Sequence, residues 1–296
     1  MNPAGFLAEL FAYPFMVNAF QAGTIVAVAA GAIGWFMVQR RQSFAGHTLA
    51  VIGFPGAAGA TLLGLSPALG YFVACIGGAL AIAALPATGR AGGELGGASE
   101  ESAAIGTVQA FALACGFLFV SLYKGFLGGL NNLLFGTITG VTTGQVALLA
   151  VAGLVSLTVL ACIARPLLFS SIDPAIAASR GVPVRAISAA FLILLGVATA
   201  GTSQVTGSLL VFSLLVAPAA TATRLTARPV LGIVLSVVIA LAATWAGESI
   251  AYFSPYPIGF WVASLAFAAF VAATAWQAGR EHRGRRRALP NSGVWA

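Results

Sequence analysis

Residues 143–165 read TGQVALLAVAGLVSLTVLACIAR, an uncharged stretch closed by Arg165. A segment surrounded by lipid must satisfy its backbone polar groups internally, and about 20 apolar residues in a helix cross the hydrocarbon core. The stretch therefore predicts a transmembrane helix over 143–164. Outward from it, similar runs occupy 17–38, 47–65, 68–86, 103–123, 186–202, 206–224, 229–250 and 257–277. Some are short, so the expectation is an all-α polytopic transmembrane helical bundle of about 8–9 spans.

Charge orients the bundle. Thirteen of the fourteen Lys and Arg residues stand at every second boundary between the runs: Arg40, Arg41, Arg90, Arg165, Arg180, Arg185, Arg224, Arg228, Arg280, Arg283, Arg285, Arg286 and Arg287. Nine spans with the N-terminus outside put all of them on one side, which the positive-inside rule makes the cytoplasm. Only Lys124 falls outside. The C-terminus is then cytoplasmic, with a transmembrane domain over 1–279, a cytoplasmic loop at about 170–185 and a basic tail over 280–296. His282 sits among the tail's arginines, which suit anionic lipid.

Composition excludes other classes. The chain is 59% hydrophobic and 7% charged, whereas a water-facing globule carries about a quarter charged residues. Its solvent is lipid, as the mean hydropathy of +0.99 also says. The net charge of +7 is spread over short boundary clusters without interleaved aromatics, so no nucleic-acid partner is expected. No basic region precedes the first run, which is expected to persist as a span rather than be cleaved as a signal peptide. Cys75, Cys115 and Cys162 lie apart inside apolar runs and read as packing residues, not as a disulfide framework. The lone lysine, Lys124, lies between Tyr123 and Gly125, so no Gly-Lys-Ser/Thr phosphate loop exists. The chain cannot hydrolyse ATP by that route, and no catalytic residue is expected.

Between the runs, Ala87 to Ser99 reads as a Gly-rich linker, and Gly125 to Thr143 as a re-entrant or surface segment. Small residues recur every four positions at Gly56, Ala60 and Gly64, and at Gly136, Gly140 and Gly144. Such stripes let membrane helices approach closely. The loop SSIDPAIAASRGVPVR places Asp173 as an N-cap, Pro174 at the first helical position, and Gly181 and Pro183 as a stop. It predicts a short cytoplasmic helix from Pro174 to Arg180, either a plain surface helix or a rigid knob for a partner's groove.

Here the residues reach a family. Asp173-Pro174, then Ala177, then Gly181, resembles the coupling loop of the membrane permeases of zinc/manganese-type ATP-binding-cassette importers. In the same order as in that family stand GWFMVQRRQSFAGHTLA (34–50), ESAAIG (101–106), NLLFG (132–136), GSLLVFSLLVAPAATATRL (207–225) and Tyr256-Pro257-Ile258-Gly259. Pro55, Gly56, Gly207, Pro218, Pro257 and Gly259 take the places of structural motif residues. The resemblance implies an inner-membrane permease paired with a second copy or a sister permease around a central path. A cytoplasmic ATPase dimer would drive it, and an extracytoplasmic metal-binding protein would feed it. No cofactor would be bound permanently: Zn²⁺ or Mn²⁺ is the transported substrate, and ATP stays on the partner.

The sequence departs from the family where the second span opens. The family has Asp there and His four residues later, while this chain has His47 and Val51. Imidazole suits Zn²⁺ and Mn²⁺ prefers oxygen, which places zinc first and manganese second. His47 reads either as a cation contact or as a hydrogen-bonded structural histidine. Glu248 lies near the outer end of the eighth span, where a carboxylate is costly. It either helps receive a cation or marks a water-accessible helix end. Glu101 suits a helix N-terminus, while Gln109, Gln145, Ser203 and Gln204 line a path or join helices. Two other functions stay open: import of a metal chelate or small organic molecule, and a stand-alone secondary transporter or channel. Glu248 alone offers the latter an intramembrane acid.

Overall fold

The computed structural model describes residues 12–84, 95–123, 134, 136, 140–208 and 211–288, with the backbone alone over 95–105 and 281–288. The linker 87–94, Lys124 and Asn131–Asn132 lie outside the described residues, as do the side chains of Glu101 and His282. Described secondary structure is helical: α1 (Pro14–Gln39), α2 (Ser43–Leu62), α3 (Pro67–Ala84), α4 (Leu95–Leu122), α5 (Thr143–Ile172), α6 (Pro174–Ser179), α7 (Val184–Thr206), α8 (Val211–Leu225), α9 (Pro229–Tyr252) and α10 (Ile258–Ala288). Each of the nine expected runs has its own long helix. Among the described residues six helices are long and apolar enough to cross a membrane: α1, α3, α5, α7, α9 and residues 258–280 of α10. Large apolar side chains such as Leu63, Phe111, Leu154, Val230 and Phe267 remain exposed on the bundle exterior, a pattern that water penalises and lipid does not.

α1 is the axis of the bundle and packs on α5, α7, α8 and α9. Ile33, Trp35, Phe36 and Met37 are buried and meet Phe191 and Leu195 of α7 and Leu214 and Leu215 of α8 in one core. Small residues decide how near its neighbours come. A methyl at Gly34 would run into the Leu215 carbonyl oxygen, and one at Gly31 into the α9 backbone at Val237. The Ser236 hydroxyl donates to the Gly31 carbonyl at 2.7 Å across that seam. Between α2 and α3, Gly56 and Gly70 each abut the other's carbonyl, and Ala60 packs on Gly70.

The expected stripes hold only in part. Gly64 is no packing residue: its φ of +76° ends the turn after α2, and nothing lies within 4 Å of where its Cβ would be. Gly144 is likewise open, with only Thr142 Oγ1 at 3.9 Å. Gly136 does make a close approach, described below. Two spans move. α5 continues past Arg165 to Ile172 with Pro166 inside it. The span expected at 206–224 begins later, at Val211, because α7 runs on past its expected end at 202 to Thr206, where Gly207 at φ +80° and ψ 153° stops it. Cys75 is buried, Cys115 half-buried and Cys162 exposed, and all three are free.

Candidate transport path and coupling loop

The loop at about 170–185 folds as its residues dictate. Asp173 closes α5 and caps α6: its Oδ1 accepts from the amides of Ala175 and Ile176, both at 2.9 Å. Pro174 occupies the first helical position, where a missing N–H costs nothing. At the other end, Gly181 has φ +80°, the Val182 amide donates to the Ala177 carbonyl at 3.1 Å, and the Gly181 amide to that of Ala178 at 3.0 Å. This pair of bonds is the left-handed glycine stop that satisfies the last carbonyls of a helix. Ala177 is fully buried where α6 rests on α5 and α7, while Ile172 and Ile176 stay 85% and 49% exposed. The result is a short, doubly capped knob with apolar side chains turned outward.

His47 stands one turn into α2 and is half-buried. Its ring meets Phe212 of α8 edge-on at 5.2 Å between centroids. The Gln109 amide nitrogen lies 3.3 Å from His47 Nε2. Which of the two donates depends on the imidazole tautomer and the amide orientation. Gln109 is held in turn by Thr48, whose Oγ1 lies 3.3 Å from its Oε1 and 3.0 Å from the Phe44 carbonyl. Nε2 is thus engaged by Gln109 in either tautomer. A cation could ligate Nε2 only if Gln109 swings aside.

Phe212 stands in the first turn of α8, a few residues after Gly207. Gly207 and Gly136 pack backbone to backbone: a methyl on Gly207 would meet the Leu134 carbonyl and the Gly136 amide, and one on Gly136 the carbonyl of Val205. Gly136 also needs φ +75°. Two stretches that the sequence singled out separately, NLLFG and the one opening at Gly207, therefore meet. Val141 tethers the same segment to α1, its carbonyl accepting from Asn18 Nδ2 at 3.2 Å. Pro55 and Pro218 are buried inside α2 and α8, and the Pro257 carbonyl accepts from the Phe260 amide at 3.1 Å as α10 begins, with Gly259 in its first turn.

Glu248 lies elsewhere. It is fully buried on α9, so it is no water-accessible helix end. Its carboxyl packs on Gly23 of α1, beside Thr244. Both carboxyl oxygens and Thr244 Oγ1 are without hydrogen-bond partners. Whereas α2 packs chiefly on α3, α4 and α7, α9 packs on α1, α8 and α10. The structure does not bring Glu248 and His47 together. Among the described residues no three of His, Cys, Asp and Glu converge on one point. Glu248→Gln, which keeps the shape, is expected to leave substrate uptake within about threefold of wild type, the size of one weak intramembrane contact. A larger loss in reconstituted transport would return Glu248 to the path.

Other polar positions resolve into local roles. Gln145 is engaged locally: its Oε1 accepts from the Thr142 amide at 3.0 Å, and Thr142 Oγ1 from the Gln145 amide at 3.2 Å. This reciprocal box caps α5. Ser203 donates back to the Thr199 carbonyl at 2.8 Å, and Gln204 Nε2 to that of Ala200 at 3.3 Å.

Residues 12–277 match the ABC 3 transport family. Manganese transport system membrane protein MntC of Halalkalibacterium halodurans is 30% identical over 82% of this chain and 78% of its own. Chelated iron transport system membrane protein YfeC of Yersinia pestis is 30% identical over 80% of this chain and 77% of its own. The solved structure of PsaBC from Streptococcus pneumoniae in complex with Fab superposes with a TM-score of 0.80 at 26% identity, covering 92% of this chain and 95% of that one. This chain belongs to the ABC 3 transport family, as a multi-pass permease subunit of the cell membrane whose ATP is hydrolysed on a separate chain.

Proposed function

We propose that the chain is the permease of an importer that carries a divalent metal cation into the cytoplasm by alternating access, with all nine long helices crossing the membrane. The observation that carries the coupling half of this reading is α6, whose two caps and exposed Ile172 and Ile176 suit a groove on an ATPase. Asp173, Pro174, Ala177 and Gly181 are its docking set. A pair of permeases, each engaging one ATPase and together facing one extracytoplasmic binding protein, completes the assembly. The domain reading follows, with 1–279 as the transport body and 280–296 as a basic tail.

Manganese takes precedence over zinc as cargo. The imidazole at 47 suits zinc, but the MntC relative is named for manganese. The name of the Yersinia pestis relative supports a second reading, in which the cargo travels as a chelate. His47 is the proposed cargo contact, gated by Gln109. A lone neutral imidazole binds weakly, which suits a conduit that must release its ion.

The test is uptake of radioactive Mn²⁺ and Zn²⁺ into vesicles holding this chain with its ATPase and binding protein, with and without ATP. Wild type should take up Mn²⁺ only with ATP. His47→Ala should lower uptake by about tenfold, as expected for losing one metal-site group. Unchanged uptake in the variant would make His47 structural, and absence of metal uptake from a complex that hydrolyses ATP would favour the chelate.

A further inference from the structure

Arg40 entered the sequence reading as one of thirteen orienting charges. Its neighbour Arg41 behaves that way: it takes φ +55° in the turn after α1 and points into solvent. Arg40 turns inward. Its Nη1 donates to Ser170 Oγ and Ser171 Oγ, both at 3.2 Å, and Nη2 donates to Ser188 Oγ at 2.7 Å. Nε reaches Gln42 Oε1 at 3.3 Å, and the guanidinium lies 5.6 Å from the centroid of the Phe191 ring.

The serine hydrogens are already placed. Ser170 Oγ and Ser171 Oγ both donate to the Leu167 carbonyl, at 3.0 and 2.6 Å, so their lone pairs are left to accept from Nη1. The two hydrogens of Nη1 match two acceptors while Nη2 reaches the third, a spread that the rigid fork of arginine spans and the single nitrogen of an ammonium does not. Ser170 and Ser171 belong to the last turn of α5 and Ser188 to the second turn of α7. These helices are the stalks on either side of α6. The guanidinium therefore bolts both stalks to the inner end of α1, the axis of the bundle, which runs on to the tethered Asn18–Val141 contact at its other end.

We propose that Arg40 is the positioning residue through which displacement of the coupling helix reaches α1. This rests on the importer reading above. Without Arg40, α6 keeps its caps and its exposed face, so the ATPase still docks and hydrolyses ATP. The stalks then move without carrying α1, and hydrolysis separates from transport.

The experiment uses the complete transporter, with its ATPase and binding protein, in proteoliposomes with Mn²⁺ as probe. Three quantities are read: ATP hydrolysed, Mn²⁺ taken up, and the nucleotide-dependent change in hydrogen–deuterium exchange over residues 14–22 at the outer end of α1. For Arg40→Gln, ATPase co-purification and hydrolysis should hold within about twofold while Mn²⁺ moved per ATP falls by about tenfold or more, and the exchange response should vanish. Arg40→Lys keeps the charge without the fork and should restore less than about half the coupling. If Arg40→Gln does not accumulate, Ser188→Ala removes one acceptor alone and should lower transport per ATP by about threefold.

Unchanged transport per ATP in Arg40→Gln and Ser188→Ala would overturn the proposal. So would loss of ATPase binding in Arg40→Gln, which would make the arginine a part of the docking loop, or a wild type whose α1 does not respond to nucleotide. A wild type that shows the exchange response yet moves no Mn²⁺ would count against the cargo reading, and Arg40 would still be judged by the exchange signal.

Discussion

Gly181→Asp is expected to insert and fold like the wild type and to lose its ATPase. The side chain has room, since nothing lies within 4 Å of where its Cβ would be. The cost is local. At φ +80° a residue with a Cβ is strained by about 1–2 kcal/mol. A carboxylate placed after the last turn also opposes the helix dipole by about 0.3–1 kcal/mol. Both act on the bonds from Gly181 and Val182 that end α6, so the knob loses its shape while the spans around it do not. Pull-down of the ATPase should fall by about a hundredfold, equivalent to nearly 3 kcal/mol. Gly181→Asn separates strain from charge, because asparagine and aspartate visit the left-handed region alike and only aspartate is charged, so it should recover the part of the binding that the charge costs. A Gly181→Asp complex that survives pull-down would remove the docking role from α6.

The second large effect is on folding. Gly207→Ala should prevent normal accumulation, and what accumulates should melt well below wild type in a thermal-shift assay. With φ +80° and ψ 153°, Gly207 occupies a backbone region essentially closed to other residues, at a cost of about 1–3 kcal/mol. Its added methyl would also strike the Leu134 carbonyl and the Gly136 amide, and overpacking adds about 1–3 kcal/mol. Together these approach the whole stability of many domains, about 5–15 kcal/mol. Gly144→Ala, at an open helical position, serves as the control and should be neutral or slightly stabilising. Equal melting of the two variants would mean that the backbone contact between the two stretches contributes little.

What the sequence made legible was local. The short helix after Asp173 was readable because its cap, its proline and its glycine stop are all contiguous. The long helices were readable because lipid demands an unbroken apolar run. A boundary near Gly207 was readable from the runs on either side of it; the contact it makes was not, because the glycine packs on Leu134 and Gly136, some seventy positions earlier. Arg40 was counted as a charge because its partners lie 130, 131 and 148 residues away. His47 was marked by its departure from a family pattern, but Gln109 and Phe212 come from other helices, and no spacing in the chain announces them. Gln145 is the instructive miss. The spacing Thr142-x-x-Gln145 is a capping-box signature, and it was in plain view.

The joint between Glu248 and Gly23 has a mechanical consequence. A side chain of α9 sits in a notch that the missing side chain of Gly23 leaves in α1, and eight residues further on Gly31 seats against the α9 backbone at Val237 with the Ser236 hydroxyl on its carbonyl. Two seats about 12 Å apart, at 1.5 Å per residue, resist both sliding and tilting of α1 against α9. The two helices are thereby keyed into one bar, so a push on the end of α1 that carries Arg40 would be shared by α9.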